Sequence, residues 1–114
     1  MTSNQPDLVI RNARLIDGLG GASVMGAIAI KDDRILAVGE IAVKGAMEID
    51  ASGYAIAPGF IDVHTHDDRA LLANPLMTNK ISQGVTTVVA GNCGISLAPL
   101  SIDTRPPPPL EVGS

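Results

Sequence analysis

The sequence predicts an α/β chain in two parts. A layer of short β-strands covers residues 7–57, and a strand–helix–strand unit with parallel strands covers residues 60–90. Three observations carry this. The first half consists of short β-prone runs separated by glycine-rich and polar turns. A Pro58-Gly59 break then changes the pattern. Finally, the segment Asn74–Gly84 between two apolar runs carries helix start and stop residues.

Asp7–Ile16 (DLVIRNARLI) reads as a strand, a short break at Asn12 and a second strand. Asp17-Gly18-Leu19-Gly20-Gly21 is a turn on its glycine content. Ala27–Ile30 and Arg34–Val38 form a hairpin around the polar turn Lys31-Asp32-Asp33, closed by Gly39. Met47–Asp50 and Tyr54–Ala57 are the fourth and fifth runs, and Met1–Pro6 is a loose polar terminus. The acidic residues of this half are scattered and sit mostly at turns, so they read as solvated charges.

Phe60–Thr65 is the next expected strand. Asn74 can cap a helix whose first residue is Pro75, where the missing N–H costs little. Gly84 can end that helix. Val85–Ala90, nearly all apolar or threonine, then reads as a parallel strand buried on both faces. Beyond Ile95 the chain reads as loop, and Pro106–Pro109 favours an extended polyproline II spacer.

Composition narrows the function classes. Of 114 residues, 46% are hydrophobic and 18% charged, which excludes a wholly disordered chain. One Phe, one Tyr and no Trp leave the core to Val, Ile, Leu and Ala. A formal charge of −4 with no basic patch argues against nucleic acid. A single cysteine excludes an internal disulfide. No leader-like opening and no apolar run near the roughly 20 residues of a membrane span occur, so the expectation is a soluble, cytoplasmic protein without membrane partners.

The chemistry concentrates in Ala57–Asp68, APGFIDVHTHDD. In an extended strand positions 62, 64 and 66 share one face, with the Cα atoms of His64 and His66 roughly 6.5 Å apart. Ile61, Val63 and Thr65 would pack the other face against helices. Two imidazoles so placed can converge on one metal ion, although such a pair is also an ordinary surface feature. His64 and His66 are the only histidines, and Cys93, the only cysteine, follows the next apolar run in GVTTVVAGNCG. Two nitrogens and a sulfur suit zinc. Cys93 taken alone also fits a small buried apolar role.

The segments GFIDVHTHDD and KISQGVTTVVAGNCGISLAPL resemble the N-acyl-D-amino-acid deacylases (D-aminoacylases) of the amidohydrolase superfamily. The resemblance runs from about Asp7 through Pro109. It implies that residues 1–57 are the N-terminal share of a small β-sandwich, and that residues 58–114 begin a metal-dependent TIM-like barrel of which most is absent. It implies Zn2+ as cofactor, with His64, His66 and Cys93 as ligands and the cysteine in place of a bridging carboxylate. It also implies hydrolysis of an N-acyl-D-amino acid to a carboxylate and a D-amino acid. The later histidines and the aspartate acting as general acid and base in this superfamily have no counterpart here, so no catalytic residue is expected within these residues and turnover by this chain alone is not expected.

Four neighbours of the ligands have candidate supporting roles. Asp62 suits either orienting an imidazole or bonding backbone within the strand. Asp67 and Asp68 suit ordering the ligand loop or plain solvation. Asn92 suits turn chemistry or lining the pocket. Competing readings are a dihydropyrimidinase-like or isoaspartyl-dipeptidase-like amidohydrolase, against which Cys93 speaks, and a non-catalytic truncated module that associates through exposed strand edges.

Overall fold

Residues 5–98 and residue 103 are described by the computed structural model, and the chain divides into two units between Pro58 and Gly59. That division lies one residue beyond the expected end of the strand layer. The expected extended segment Pro106–Pro109 lies outside the described residues.

In the first unit, β1 (Leu8–Leu15), β2 (Val24–Lys31), β3 (Arg34–Gly39), β4 (Met47–Asp50) and β5 (Ala55–Ile56) join one sheet. The order is β3-β2-β1-β4, with β5 also on β1. β1 pairs antiparallel with β2 and parallel with β4 and β5. The expected hairpin is present, with Lys31 opposite Arg34 and the turn at Asp32-Asp33. Asp32 adopts φ 51°, a left-handed conformation that aspartate accepts better than most residues, and its N–H donates to Asp7 Oδ2 at 2.7 Å.

The expected break at Asn12 is instead a bulge within one continuous strand. Pairing with β2 shifts between Ile10 and Ala13, and Asn12 takes φ 59°. An asparagine can occupy that conformation without ending the strand, so the ladder resumes beyond it. Nor is the N-terminal approach loose at Pro6, which is buried and accepts the Ala46 N–H at 2.8 Å. Arg11 ties β1 to the segment after β3, donating to Ile41 O at 2.6 Å, Val43 O at 2.8 Å and Glu48 Oε1 at 2.7 Å.

The buried core is small and alanine-rich. Val9, Ala27 and Ala29 form one cluster, and Ala13, Leu15 and Ala51 another. Leu15 is the one larger side chain of the second cluster, Ile10, Ile28 and Ile56 pack against it half-buried, and Val24, Ile35 and Val38 are exposed. Val9 is the largest fully enclosed side chain, at 0% exposure. Val9→Ala should therefore cost the first unit about 2 kcal/mol, from lost transfer free energy and an unfilled cavity. Urea unfolding followed by circular dichroism checks this, and no shift in midpoint would show that the cluster does not anchor the sheet.

The second unit contains β6 (Phe60–Asp62), α1 (Asp68–Ala73), α2 (Thr78–Ile81), β7 (Val85–Val88) and a 3-10 turn at Asn92–Gly94. β6 and β7 pair in parallel, as the sequence predicts. Both strands are shorter than expected, ending at Asp62 rather than Thr65 and at Val88 rather than Ala90.

One helix from Asn74 to Gly84 is replaced by two short ones. The residue before a proline is pushed away from helical conformation, and Asn74, before Pro75, takes φ −140° and ψ 81° and closes α1 instead of opening a helix. Met77, buried and left-handed at φ 44°, delays the second helical turn until Thr78. Gly84 ends that turn at φ 81°, as expected of a glycine stop. The α1 helix starts at Asp68, where an acidic residue favours a first turn.

No residue of α1, α2, β6 or β7 is fully buried. Ile61 and Val63, expected to pack under helices, are exposed, and β7 is not enclosed on both faces. The two helices are too short to cover the strand pair. Among the described residues no helix is long and apolar enough to cross a membrane.

Candidate metal centre

Because β6 and β7 run parallel, their carboxyl ends lie side by side, and the chain continues from both into one joined pair of loops. Backbone bonds extend the ladder past the strands: Val89 N–H donates to Asp62 O at 2.8 Å, and Thr65 N–H to Val89 O at 3.2 Å. Thr65 Oγ1 reaches the same carbonyl at 3.2 Å, and Thr65 is buried at 5% exposure while both flanking histidines are exposed. The expected alternation thus outlasts the strand, with His64 and His66 on the loop that follows it.

The second loop turns tightly. Gly91 and Gly94 have φ 75° and 73°, and Cys93 itself has φ 57°. A non-glycine residue held there is uncommon and must be fixed by its surroundings. Asn92 supplies part of that fixing, its Nδ2 donating to Thr65 O at 3.1 Å and Val89 O at 2.7 Å. Asp68 supplies the rest: Oδ2 accepts the Gly91 N–H at 3.1 Å and Oδ1 the Leu97 N–H at 3.3 Å. Those backbone donors hold the Asp68 carboxyl below the usual carboxylate range.

The two loops bring His64, His66 and Cys93 together, with one donor atom from each lying within 4.8 Å of the others. Cys93 Sγ is 3.5 Å from His64 Nε2. The imidazole centroids are 5.7 Å apart with their planes at 70°. A tetrahedral zinc with nitrogen and sulfur ligands sets donor atoms about 3.5 Å apart. The thiol–imidazole pair already matches that spacing, and the remaining pairs, all within 4.8 Å, must close by no more than about 1.3 Å to reach it. Donor types and spacing therefore fit a zinc ion. Among the described residues this is the one cluster of three such donors.

Asp62 makes its hydrogen bonds to backbone and to a lysine, not to an imidazole nitrogen. Its Oδ1 accepts the His64 N–H at 3.4 Å, and its Oδ2 meets Lys80 Nζ at 2.7 Å. Lys80 Nζ is also 3.0 Å from Asp67 Oδ2, an ion pair without the alignment of a hydrogen bond. Lys80 holds the Asp62 carboxyl below its usual range, and Asp62 foremost, then Asp67, raises the Lys80 ammonium. Asp62 pairing therefore stabilises above the ordinary carboxylate range and is lost as pH falls through its depressed value. The Lys80 contribution is lost only as pH rises through its raised value.

The sequence reading missed Lys80 and the anchoring role of Thr65. Two aspartates bracketing the histidine pair were a signal that a cation should face them, and Lys80 is the cation of the returning segment.

These features define an α/β chain that gathers two imidazoles and a thiol at the carboxyl ends of neighbouring parallel strands. The chain belongs to the amidohydrolase family, whose model matches residues 47–111. It is 57% identical over 105 residues to N-acyl-D-aspartate deacylase of Alcaligenes xylosoxydans xylosoxydans, covering 91% of this chain and 21% of that protein. The crystal structure of D-aminoacylase superposes with a TM-score of 0.82 at 48% identity, over 92% of this chain and 22% of that one. N-acyl-D-glutamate deacylase from Bordetella bronchiseptica, solved with zinc and a phosphonate inhibitor, gives a TM-score of 0.78 at 43% identity, over 90% of this chain and 22% of that one. The chain thus spans about a fifth of the length of these relatives.

Proposed function

We propose that this chain is part of a zinc-dependent deacylase acting on N-acyl-D-amino acids, with His64, His66 and Cys93 as metal ligands. The observation that carries this reading is the convergence of the only two histidines and the only cysteine at one point of the fold. Zinc bound by such donors supplies Lewis acidity, polarising a carbonyl and acidifying water. The residues present act on the site itself: Asp68 and Asn92 hold the cysteine loop, Thr65 locks the two loops together, and Asp62 fixes the His64 backbone. The substrate class, a small N-acyl-D-amino acid, is suggested by the deacylase relatives.

On this reading residues 1–57 are one share of a β-sandwich, and residues 58–114 open a TIM-like barrel. The exposed Phe60, Ile61 and Val63 suit strands that later elements of a barrel would cover. The free thiol suits a cytoplasmic setting, and the outer strand β3 leaves an edge through which the isolated chain can self-associate. A cyclic amidase with a carboxylate-type metal bridge is disfavoured, because a cysteine completes the cluster.

Zinc calorimetry and an assay with N-acetyl-D-methionine test the proposal. The 114-residue chain should bind zinc weakly, since three ligands fall short of a closed tetrahedral set. It should show no turnover, while a polypeptide of the relatives' length should hydrolyse the substrate in a zinc-dependent manner. No zinc binding by either polypeptide, or no zinc-dependent hydrolysis by the longer one, would refute the proposal, whereas hydrolysis by the homogeneous 114-residue protein would overturn only the expectation that this chain is inactive alone.

A further inference from the structure

We propose that Lys80 is a positioning residue for the imidazole half of the metal site, an inference that rests on the zinc reading above. Its ammonium lies 2.7 Å from Asp62 Oδ2 and 3.0 Å from Asp67 Oδ2. Those carboxylates bracket the segment His64-Thr65-His66 in sequence. One cation therefore grips the ligand loop at both ends. From the near end, Asp62 passes the constraint on through the His64 N–H at 3.4 Å.

The arrangement is partly screened from water, with side-chain exposures of 20% for Lys80, 34% for Asp62 and 18% for Asp67. Asp67 Oδ2 is itself buried without a hydrogen-bond partner, so its compensation comes from the Lys80 charge. Without Lys80 two carboxylates would face each other across the loop that carries both imidazoles. A compact ammonium with several donors suits two carboxylates reached from different directions. The cysteine loop is held by a different set, Asp68 and Asn92. Lys80 should therefore govern the imidazoles and leave the thiol in place.

Cobalt(II) binding to the 114-residue chain separates these roles, because a thiolate–cobalt charge-transfer band reports Cys93 and paramagnetically shifted ring-proton signals report the imidazoles. Lys80→Met should weaken cobalt binding about tenfold, the scale on which an outer partner tunes a metal site. The charge-transfer band per bound ion should persist while the imidazole signals broaden or disappear. Lys80→Arg, which keeps the charge, should recover most of the affinity. If Lys80→Met does not fold, the double variant Lys80→Met, Asp67→Asn removes the uncompensated buried charge and should show the same weakening. Wild-type cobalt affinity in either Met variant would overturn the inference, as would failure of both to fold, which would make Lys80 a residue of the fold. Absence of the charge-transfer band in the unaltered chain would refute the zinc reading itself.

Discussion

Cys93→Ala should lower zinc affinity by more than about 100-fold, whereas Asp68→Ala should lower it by only about tenfold. The thiol is one of the three donors gathered within 4.8 Å, and as thiolate it would be the only anionic one. Its loss leaves two imidazoles on one exposed loop, a pair with little hold on a metal. Asp68 contributes no donor to the cluster. It fixes the cysteine loop through the Gly91 and Leu97 N–H groups, so its removal loosens the left-handed turn at Cys93 without deleting a ligand. Asn92 still ties that turn to Thr65 and Val89, which limits the damage. Calorimetric titration with zinc distinguishes the two variants. Equal affinities would show that Cys93 is not a ligand.

Gly59→Ala should destabilise the second unit by about 3 kcal/mol, the upper end of the cost of forcing a methyl group into a packed position. A Cβ at Gly59 would collide with the side chain of Thr86, with Thr86 Cβ only 2.7 Å away and Oγ1 and Cγ2 closer still. The collision falls where β6 begins to pair with β7, beside the Phe60–Val85 register position. Relief requires the strands to part, and parting them separates the loops that carry His64 and Cys93. Zinc affinity should therefore fall along with the melting temperature. Gly21→Ala is the control, because a methyl there meets nothing within 4 Å. A melting temperature for Gly59→Ala equal to that of the control would show that the strand pair has room to spare.

Much of the candidate site was legible in the sequence because its donors are rare residue types, two of them in one local string. A chain with two histidines and one cysteine leaves little choice of nitrogen and sulfur ligands. The alternation of strand side chains correctly separated His64 and His66 from Thr65, even though the strand itself ends at Asp62. The β2–β3 hairpin was legible for a similar reason, since Lys31-Asp32-Asp33 marks a turn between two β-prone runs.

The helical segment was not legible in the same way. Asn74-Pro75 satisfies a helix start and a helix end equally well by residue type. The extended conformation imposed ahead of proline made it an end, and the burial of left-handed Met77 set where the next turn began.

The sequence by itself determined which rare donor atoms the chain has to offer a metal, that the two strands leading to them run parallel, and that the first half is a layer of short strands. The tertiary structure decided what holds those ligands in place. Asp68 reaches Gly91, Lys80 reaches Asp62 and Asp67, and Asn92 reaches Thr65 across 13 to 27 positions of chain. Such contacts leave no periodicity or spacing in the sequence, because they depend on where α1, α2 and the turn after β7 set down their polar side chains. The same holds for burial: Ile61 and Val63 read as core residues from their type, yet burial needs a covering partner, and the short helices α1 and α2 do not provide one.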